Sequence, residues 1–328
     1  MKKVVDDPRL IYKCCKMYYE DDLGQKEIAD ILGISRVSVS RMLRAGRESG
    51  IVQIQVVSPN HLTYSDLERR LEQMYGLKEA VVVDNSPLAT SYDQQTAFGT
   101  AAINLLDTYL HDGDIVGVSM GMTLHTICRT TRPNPNPIHC AFVPVLGGIS
   151  SVRSAAVDVH ANQIAIGLAQ LFGGQYFEFF SPVMFSSKEV LDVVMHERSM
   201  RRIVESYKRM NTVIMGIGTP NRPSSTMIRS GYIKQEEIDH FVEEGMVGDI
   251  LMQFFDKNGS TEPFKAFNER VAGLPLHQLR DTVENRICAG SGAYKAGAIC
   301  SAMRGGFVNI LITDQECAQK LLELGEQS

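Results

Sequence analysis

The stretch Gln25-Lys26-Glu27-Ile28-Ala29-Asp30-Ile31-Leu32-Gly33-Ile34-Ser35-Arg36-Val37-Ser38-Val39-Ser40-Arg41-Met42-Leu43-Arg44 reads as two short amphipathic helices around one glycine. Ile28, Ala29 and Leu32 share one face of the first helix, and Val39, Met42 and Leu43 share one face of the second. Ala29 is small where two helices must cross closely. Gly33 permits the left-handed backbone of a tight turn, and Ser35 is placed to cap the second helix. Together these spacings describe a helix-turn-helix rather than an ordinary helical hairpin. Gly24 stands where a Ser or Thr cap is common, so a weaker start is expected for the first helix. The residues left outward are Ser35, Arg36, Val37, Ser40, Arg41 and Arg44, with Ser38 and Gln25 at the two helix starts. Short hydroxyls and arginines are the side chains that reach base edges and phosphates in a major groove, so these eight are the expected DNA contacts.

Leu10, Ile11, Cys14, Met17 and Tyr18 recur at helical spacing upstream and read as a supporting helix. Downstream, Ile51-Val52-Gln53-Ile54-Gln55-Val56 alternates like a strand, which is compatible with a winged variant, and Ser58-Pro59-Asn60 ends it. Residues 64–75 form a further helix with Leu67, Leu71 and Met74 on one stripe. That stripe suits either core packing or pairing with a second subunit, which a reader of two-fold operators needs. The expected organisation is a DNA-binding domain at 1–57, a linker with an oligomerisation helix at 58–78, and an effector-binding domain at 79–328.

The charge balance agrees. The 328 residues carry a net charge of −5, yet residues 1–57 carry ten Lys/Arg against eight Asp/Glu. A small basic face on an acidic chain fits local contact with a DNA site better than general coating. With 44% hydrophobic residues, the chain can build a sizeable core. No run approaches the roughly 20 apolar residues of a membrane span, and the start MKKVVDDPRLIYK lacks the apolar run of a secretion signal. Seven cysteines without a C-x-x-C spacing read as buried reduced thiols, neither disulfides nor a metal site, and point to the cytoplasm.

From Glu79 onward, short β-rich runs alternate with helical stretches, the pattern of an α/β domain with a largely parallel sheet. Strands are expected at Ala80–Asp84, Asp114–Val118, Ala141–Leu146, Gly174–Phe179, Thr212–Ile217 and Val308–Thr313. Several expected strand ends are rich in small residues: Ser119-Met120-Gly121-Met122-Thr123, Gly147-Gly148 and Gly216-Ile217-Gly218-Thr219. Backbone N–H groups and helix starts at such ends favour an anion. Any one of them is equally a tight turn, but three in one domain favour an anionic ligand. Gly248-Asp249 and Gly290-Ser291-Gly292 with Lys295 add a carboxylate and an ammonium in similar loops. Either residue alone could be an ordinary cap or surface lysine. No cofactor motif is present: neither a Walker A sequence nor a dinucleotide-binding fingerprint occurs.

On these residues the chain resembles the SorC family of sugar-responsive transcription regulators over nearly its whole length, particularly the branch holding the repressor of the autoinducer-2 uptake operon. The matching stretches are Gln25–Ala29, Ser38–Leu43, Gly117–Ser119 with Gly121 and Thr123-Leu124, Pro144 with Gly147-Gly148, Ala161-Asn162, Gly216–Gly218 and Val247–Ile250. Arg304-Gly305-Gly306-Phe307-Val308-Asn309-Ile310-Leu311-Ile312-Thr313-Asp314 is the most specific of them. The resemblance implies an effector domain related to sugar-phosphate isomerases and deaminases, homo-oligomers (dimers or tetramers), double-stranded operator DNA as partner, and a phosphorylated sugar or polyol as effector. It implies a repressor released by that effector. Ser119, Gly121 and Thr123 would hold the phosphate. Asp249 and Lys295 would meet the hydroxyl or carbonyl end, with Met120, Met122, Gly147, Gly148, Asn162, Gly216, Gly218 and Thr219 lining the site. Met120 and Met122 depart from the Trp and Arg common in the family, and no lysine flanks Gly147-Gly148 to form a Schiff base. The competing reading is an isomerase-like enzyme with a DNA-binding appendage, using Asp249, Lys295 and His160; a second carboxylate beside them is missing from the sequence pattern.

Overall fold

The computed structural model describes residues 7–52, 64–84, 91–134, 136–148, 159–220, 226–229 and 233–327. The chain divides into two compact units, Met1–Thr63 and Tyr64–Ser328.

Among the described residues the smaller unit holds three helices: α1 (Pro8–Tyr19), α2 (Gln25–Leu32) and α3 (Arg36–Glu48). Ile11, Cys14, Cys15, Ile28, Ala29, Val39, Met42 and Leu43 form its core, with Ile28, Val39 and Met42 fully buried. The alternating run Ile51–Val56 that suggested a wing falls mostly on residues 53–63, outside the described residues. Ile51 and Val52 lie in a bend, and Val52 packs on the helical core.

The larger unit is built on a seven-stranded sheet. Its strands are β1 (Glu79–Val83), β2 (Ile115–Val118), β3 (Ala141–Pro144), β4 (Gln175–Tyr176), β5 (Thr212–Met215), β8 (Asn285–Ala289) and β9 (Ile310–Asp314). They run in the order β1-β9-β8-β5-β2-β3-β4, and every pairing is parallel. The hairpin β6 (Met246–Ile250) and β7 (Gln253–Asp256) stands apart as an antiparallel pair. The helices are α4 (Ser65–Tyr75), α5 (Ser91–Tyr109), α6 (Met122–Cys128), α7 (Ala161–Phe172), α8 (Lys188–Met195), α9 (Arg201–Lys208), α10 (Thr226–Arg229), α11 (Gln235–Glu243), α12 (Lys265–Asn268), α13 (Leu276–Thr282), α14 (Ala296–Arg304) and α15 (Gln315–Glu326).

Side chains alternate across the sheet, as a pleated backbone requires. Val116, Val118, Phe142, Ile214, Ile287, Ile310 and Ile312 face one core with α5, α6 and α7. Val143, Val213, Met215, Cys288 and Leu311 face the other, with α4, α9, α11, α13, α14 and α15. A sheet covered on both faces gives short continuous apolar runs, which is why β1, β2, β3, β5 and β9 were legible in outline.

Two strand expectations are corrected, and the helix at 64–75 meets the core-packing alternative for Leu71, which is fully buried in the larger unit's core where α4 packs on β1 and α15. Met74 of the same stripe stays exposed. The strand expected over Gly174–Phe179 shortens to two exposed residues at the sheet edge. Strand β8 was not anticipated: its apolar run is three residues, preceded by Asn285, which bonds Thr212 Oγ1, and Arg286.

After β2 the chain turns to α6 on one face, and after β5 it goes to α10 and α11 on the opposite face, where Met227 and Ile238 are buried. β2 and β5 are neighbours. Their carboxyl ends therefore form the topological switch point of the sheet, where open α/β folds bind ligands.

Candidate functional site

In the smaller unit, α2 and α3 are fixed by short-range devices. Gly24 offers no side-chain cap, but its N–H donates to the Glu27 carboxylate at 2.8 Å, which offsets the weak start expected there. Gly33 sits at φ +63° and closes α2, a conformation that only glycine adopts without strain. Ser35 Oγ accepts the Ser38 N–H at 3.1 Å and lies 2.9 Å from Ser38 Oγ, so both hydroxyls are engaged in the cap of α3. Arg36, Val37, Ser40, Arg41 and Arg44 remain exposed on one face, with Val37 62% exposed. Arg44 pairs with Glu48 at 2.8 Å, a solvent-exposed pair worth little. Gln25 opens α2, partly exposed.

In the larger unit, several predicted residues converge at the switch point. Ser119 is 3% exposed, and its hydroxyl accepts the Gly216 N–H at 3.2 Å while facing the Met120 carbonyl at 3.2 Å. It thus ties the loop after β2 to the loop after β5. Gly121 caps α6 and donates to the Val159 carbonyl at 3.0 Å. Thr123 lies in the first turn of α6, and Met122 is 66% exposed at its start. Gly218 and Asp249 exchange backbone hydrogen bonds at 2.9 and 3.2 Å, which seats the Asp249 carboxylate on the Gly218 backbone. Thr219 follows, half-buried. Lys295 ends a short 3-10 turn, Ala293–Lys295, whose amide at 295 donates to the Gly292 carbonyl at 3.0 Å. Its aliphatic stem lies near Gly290, and its ammonium is 6.0 Å from the Tyr294 ring centroid.

Asp249 and Lys295 act on each other electrostatically. Burial lifts the Asp249 carboxyl to about 6, against the pull of the Met252 N–H and the Lys295 ammonium. The carboxylate is held by an unusual turn. Leu251 and Met252 carry φ of +52° and +60°, both are buried, and together they form the two-residue tip between β6 and β7. Lys295 also faces Cys288 and Cys317, whose thiols burial pushes up to about 12, so both stay protonated at neutral pH. All seven cysteines are free thiols, six buried and Cys128 half-buried.

The Asp249 titration has a defined consequence. Because the folded-state value lies above the unfolded value near 4, the folded protein holds the extra proton between these two values. Stability therefore falls as pH rises from about 4 to about 6, and is flat with respect to this group above that. Asp249→Asn is expected to remove about 1 kcal/mol of this slope, after allowance for the solvent reaching a half-buried residue. Urea unfolding at a series of pH values checks it, and an unchanged slope in the variant would assign the pH dependence elsewhere.

Three other predicted residues hold hydrogen bonds within the chain. Gly147 and Gly148 follow β3, where Gly147 N–H donates to the Ala272 carbonyl at 2.9 Å and Gly148 N–H to the Ser181 carbonyl at 2.8 Å. A Cβ at 147 would lie 2.6 Å from the Ser181 carbonyl oxygen, so glycine is required there by backbone packing. Asn162 is a brace, its amide donating to the Phe179 carbonyl at 3.3 Å and accepting the Phe179 N–H at 2.9 Å. A cleft lined by Thr131, Pro137, Gln170 and Phe172 lies at the opposite, amino ends of the strands. Its arginine, Arg132, is spent on Asp107 and the Asn136 carbonyl.

A helix-turn-helix with an outward arginine face, in one chain with an α/β unit whose switch point holds an acid and an ammonium, defines a ligand-responsive DNA-binding regulator. Comparison with known proteins gives the family. A sugar-binding domain family matches residues 60–323, and a Crp-like helix-turn-helix family matches residues 14–72. The deoxyribonucleoside regulator of Bacillus subtilis is 33% identical over 317 residues, covering 96% of this chain and 97% of its own. The crystal structure of the full-length sorbitol operon regulator SorC from Klebsiella pneumoniae superposes with a TM-score of 0.71 at 30% identity, covering 97% and 99%. The transcriptional regulator LsrR of Escherichia coli is 30% identical over 312 residues, covering 93% and 92%. The chain belongs to the SorC family of sugar-binding transcriptional regulators. It is a DNA-binding regulator with a sugar-binding domain.

Proposed function

We propose that this chain is a cytoplasmic repressor of a carbohydrate-utilisation operon, released from its operator by a phosphorylated sugar or polyol bound at the carboxyl ends of β2, β5 and β8. The observation that carries the reading is the convergence of Asp249 and Lys295 with the small-residue loops 119–123 and 216–219 at the switch point. The loop backbones and the first turn of α6 suit the phosphate. The Asp249 carboxyl accepts a sugar hydroxyl, and Lys295 donates to a hydroxyl or carbonyl oxygen. The names of two relatives point to small polyhydroxylated compounds, deoxyribonucleosides and sorbitol. The protein acts as a homo-oligomer, since a palindromic operator requires two recognition helices. Catalysis is not part of this reading: relatives along the whole chain are named as regulators.

The test is a selection of operator DNA by the full chain, followed by titration of the complex with ribose 5-phosphate, sorbitol 6-phosphate and their unphosphorylated counterparts. Release by one phosphorylated compound and not by its parent supports the reading, and release by neither class refutes it. In the same assay Arg41→Ala is expected to weaken operator binding about tenfold or more, equivalent to 1–3 kcal/mol for a base-reading arginine. An equal loss on random DNA would make Arg41 a phosphate contact.

A further inference from the structure

Asp314 stands at the end of the most family-specific stretch of the chain, and the binding geometry above does not use it. It is 8% exposed and its two carboxylate oxygens hold two different elements. Oδ2 accepts the Gly292 N–H at 2.8 Å, at the start of the turn that carries Lys295. Oδ1 accepts the Cys317 N–H at 2.9 Å, capping α15. The next residue, Gln315, lies at the first turn of α15 with its Oε1 3.2 Å from the Tyr64 hydroxyl. That hydroxyl also donates to Asp84 Oδ1 at 2.8 Å, and Asp84 follows Val83, the register partner of Asp314 across β1 and β9. Tyr64 is the first residue of the larger unit, where the chain arrives from the smaller one.

We infer that Asp314 is a positioning residue that joins the Lys295 turn to Tyr64, so that a displacement of the turn shifts the start of α15 and with it the point where the DNA-binding unit is tethered. The inference rests on the reading of the Lys295 turn as an effector contact. The mechanics are those of one rigid carboxylate shared by two elements. Both bonds are charge-assisted and nearly solvent-free, so each costs on the order of a tenfold change in local opening when lost. A turn pulled toward a ligand at Lys295 either carries Asp314 with it or breaks the bond to Gly292.

Amide hydrogen exchange of the full chain tests this without any effector, so it stands apart from failure of the sugar-phosphate reading, which operator release decides. Asp314→Asn keeps an oxygen to cap α15, since asparagine is a good N-cap, and presents its NH2 to the Gly292 N–H. Exchange in 290–296 is then expected to rise about tenfold or more, and the first turn of α15 and 64–75 to rise together about two- to fivefold. Coupling is reciprocal, so Tyr64→Phe, which removes one hydroxyl, is expected to raise exchange in 290–296. A purely structural role for Asp314 leaves 290–296 indifferent to Tyr64. An effect of Asp314→Asn confined to 290–296, or a Tyr64→Phe variant silent there, overturns the inference. Should Asp314→Asn fail to fold, the Tyr64→Phe arm decides.

Discussion

A Gly147→Ala variant is expected to destabilise the larger unit by about 2–3 kcal/mol, well beyond an ordinary surface change. The added methyl would sit 2.6 and 2.7 Å from the carbonyl oxygens of Ser181 and Pro182. Those atoms belong to a backbone held by the Gly148 N–H to Ser181 carbonyl bond and the Val183 N–H to Gly148 carbonyl bond, so no flexible side chain can yield. Accommodating the methyl means separating the loop after β3 from the 181–183 segment, with loss of those bonds and of packing around the buried Leu146 and Val183. Thermal or urea unfolding reads the effect directly. The measurement also separates two roles for the paired glycines. A ligand-facing glycine would give a stable variant with altered effector response, whereas near-wild-type stability would contradict the packing described here.

Lys295→Met is expected to raise the effector concentration needed for operator release by about ten- to a hundredfold, while DNA binding by the free protein stays within about twofold. Methionine keeps the length of the stem and removes the charge. One charge-assisted bond to a ligand is worth about 1.5–3 kcal/mol, which sets that range. The partner carboxylate responds as well. Lys295 is one of the influences holding Asp249 down, so its loss leaves the acid more protonated at neutral pH, and a protonated Asp249 is a poorer acceptor for a sugar hydroxyl. Operator binding with graded effector checks both halves. Unchanged release in the variant would remove Lys295 from the effector contacts, and lost DNA binding would show the lysine to be structural.

The helix-turn-helix was legible almost residue by residue because its determinants are local: an apolar face at helical spacing, one left-handed glycine and one serine cap. Strand ends at 118, 144 and 215 were legible within two residues, since buried strands end where small residues begin. What was not legible depended on non-local contacts. Gly147-Gly148 and Asn162 carry the residue types of a binding loop, and their hydrogen bonds to the distant 179–181 segment and to Ala272 have no local signal in the sequence. Strand β8 was hidden because two polar residues open it: Asn285 donates to Thr212 Oγ1 of the neighbouring strand and the Arg286 guanidinium to the Val283 carbonyl, leaving an apolar run of three residues. Asp314 had a local signal, an acid just before a helix, but its second oxygen serves a turn 22 residues away.

The left-handed pair Leu251-Met252 bears on how the acid at 249 ages with heat. A hairpin tip made of asparagine and glycine can swing in solvent at little cost. This tip is a plug, with both side chains inserted in the main core at 4% and 3% exposure, and withdrawing it would strand roughly two large apolar side chains in water. Asp249 cannot drift outward while that plug is seated. The Asp249 carboxylate is therefore as durable as the core beneath it, and on heating its position is lost together with the core rather than ahead of it.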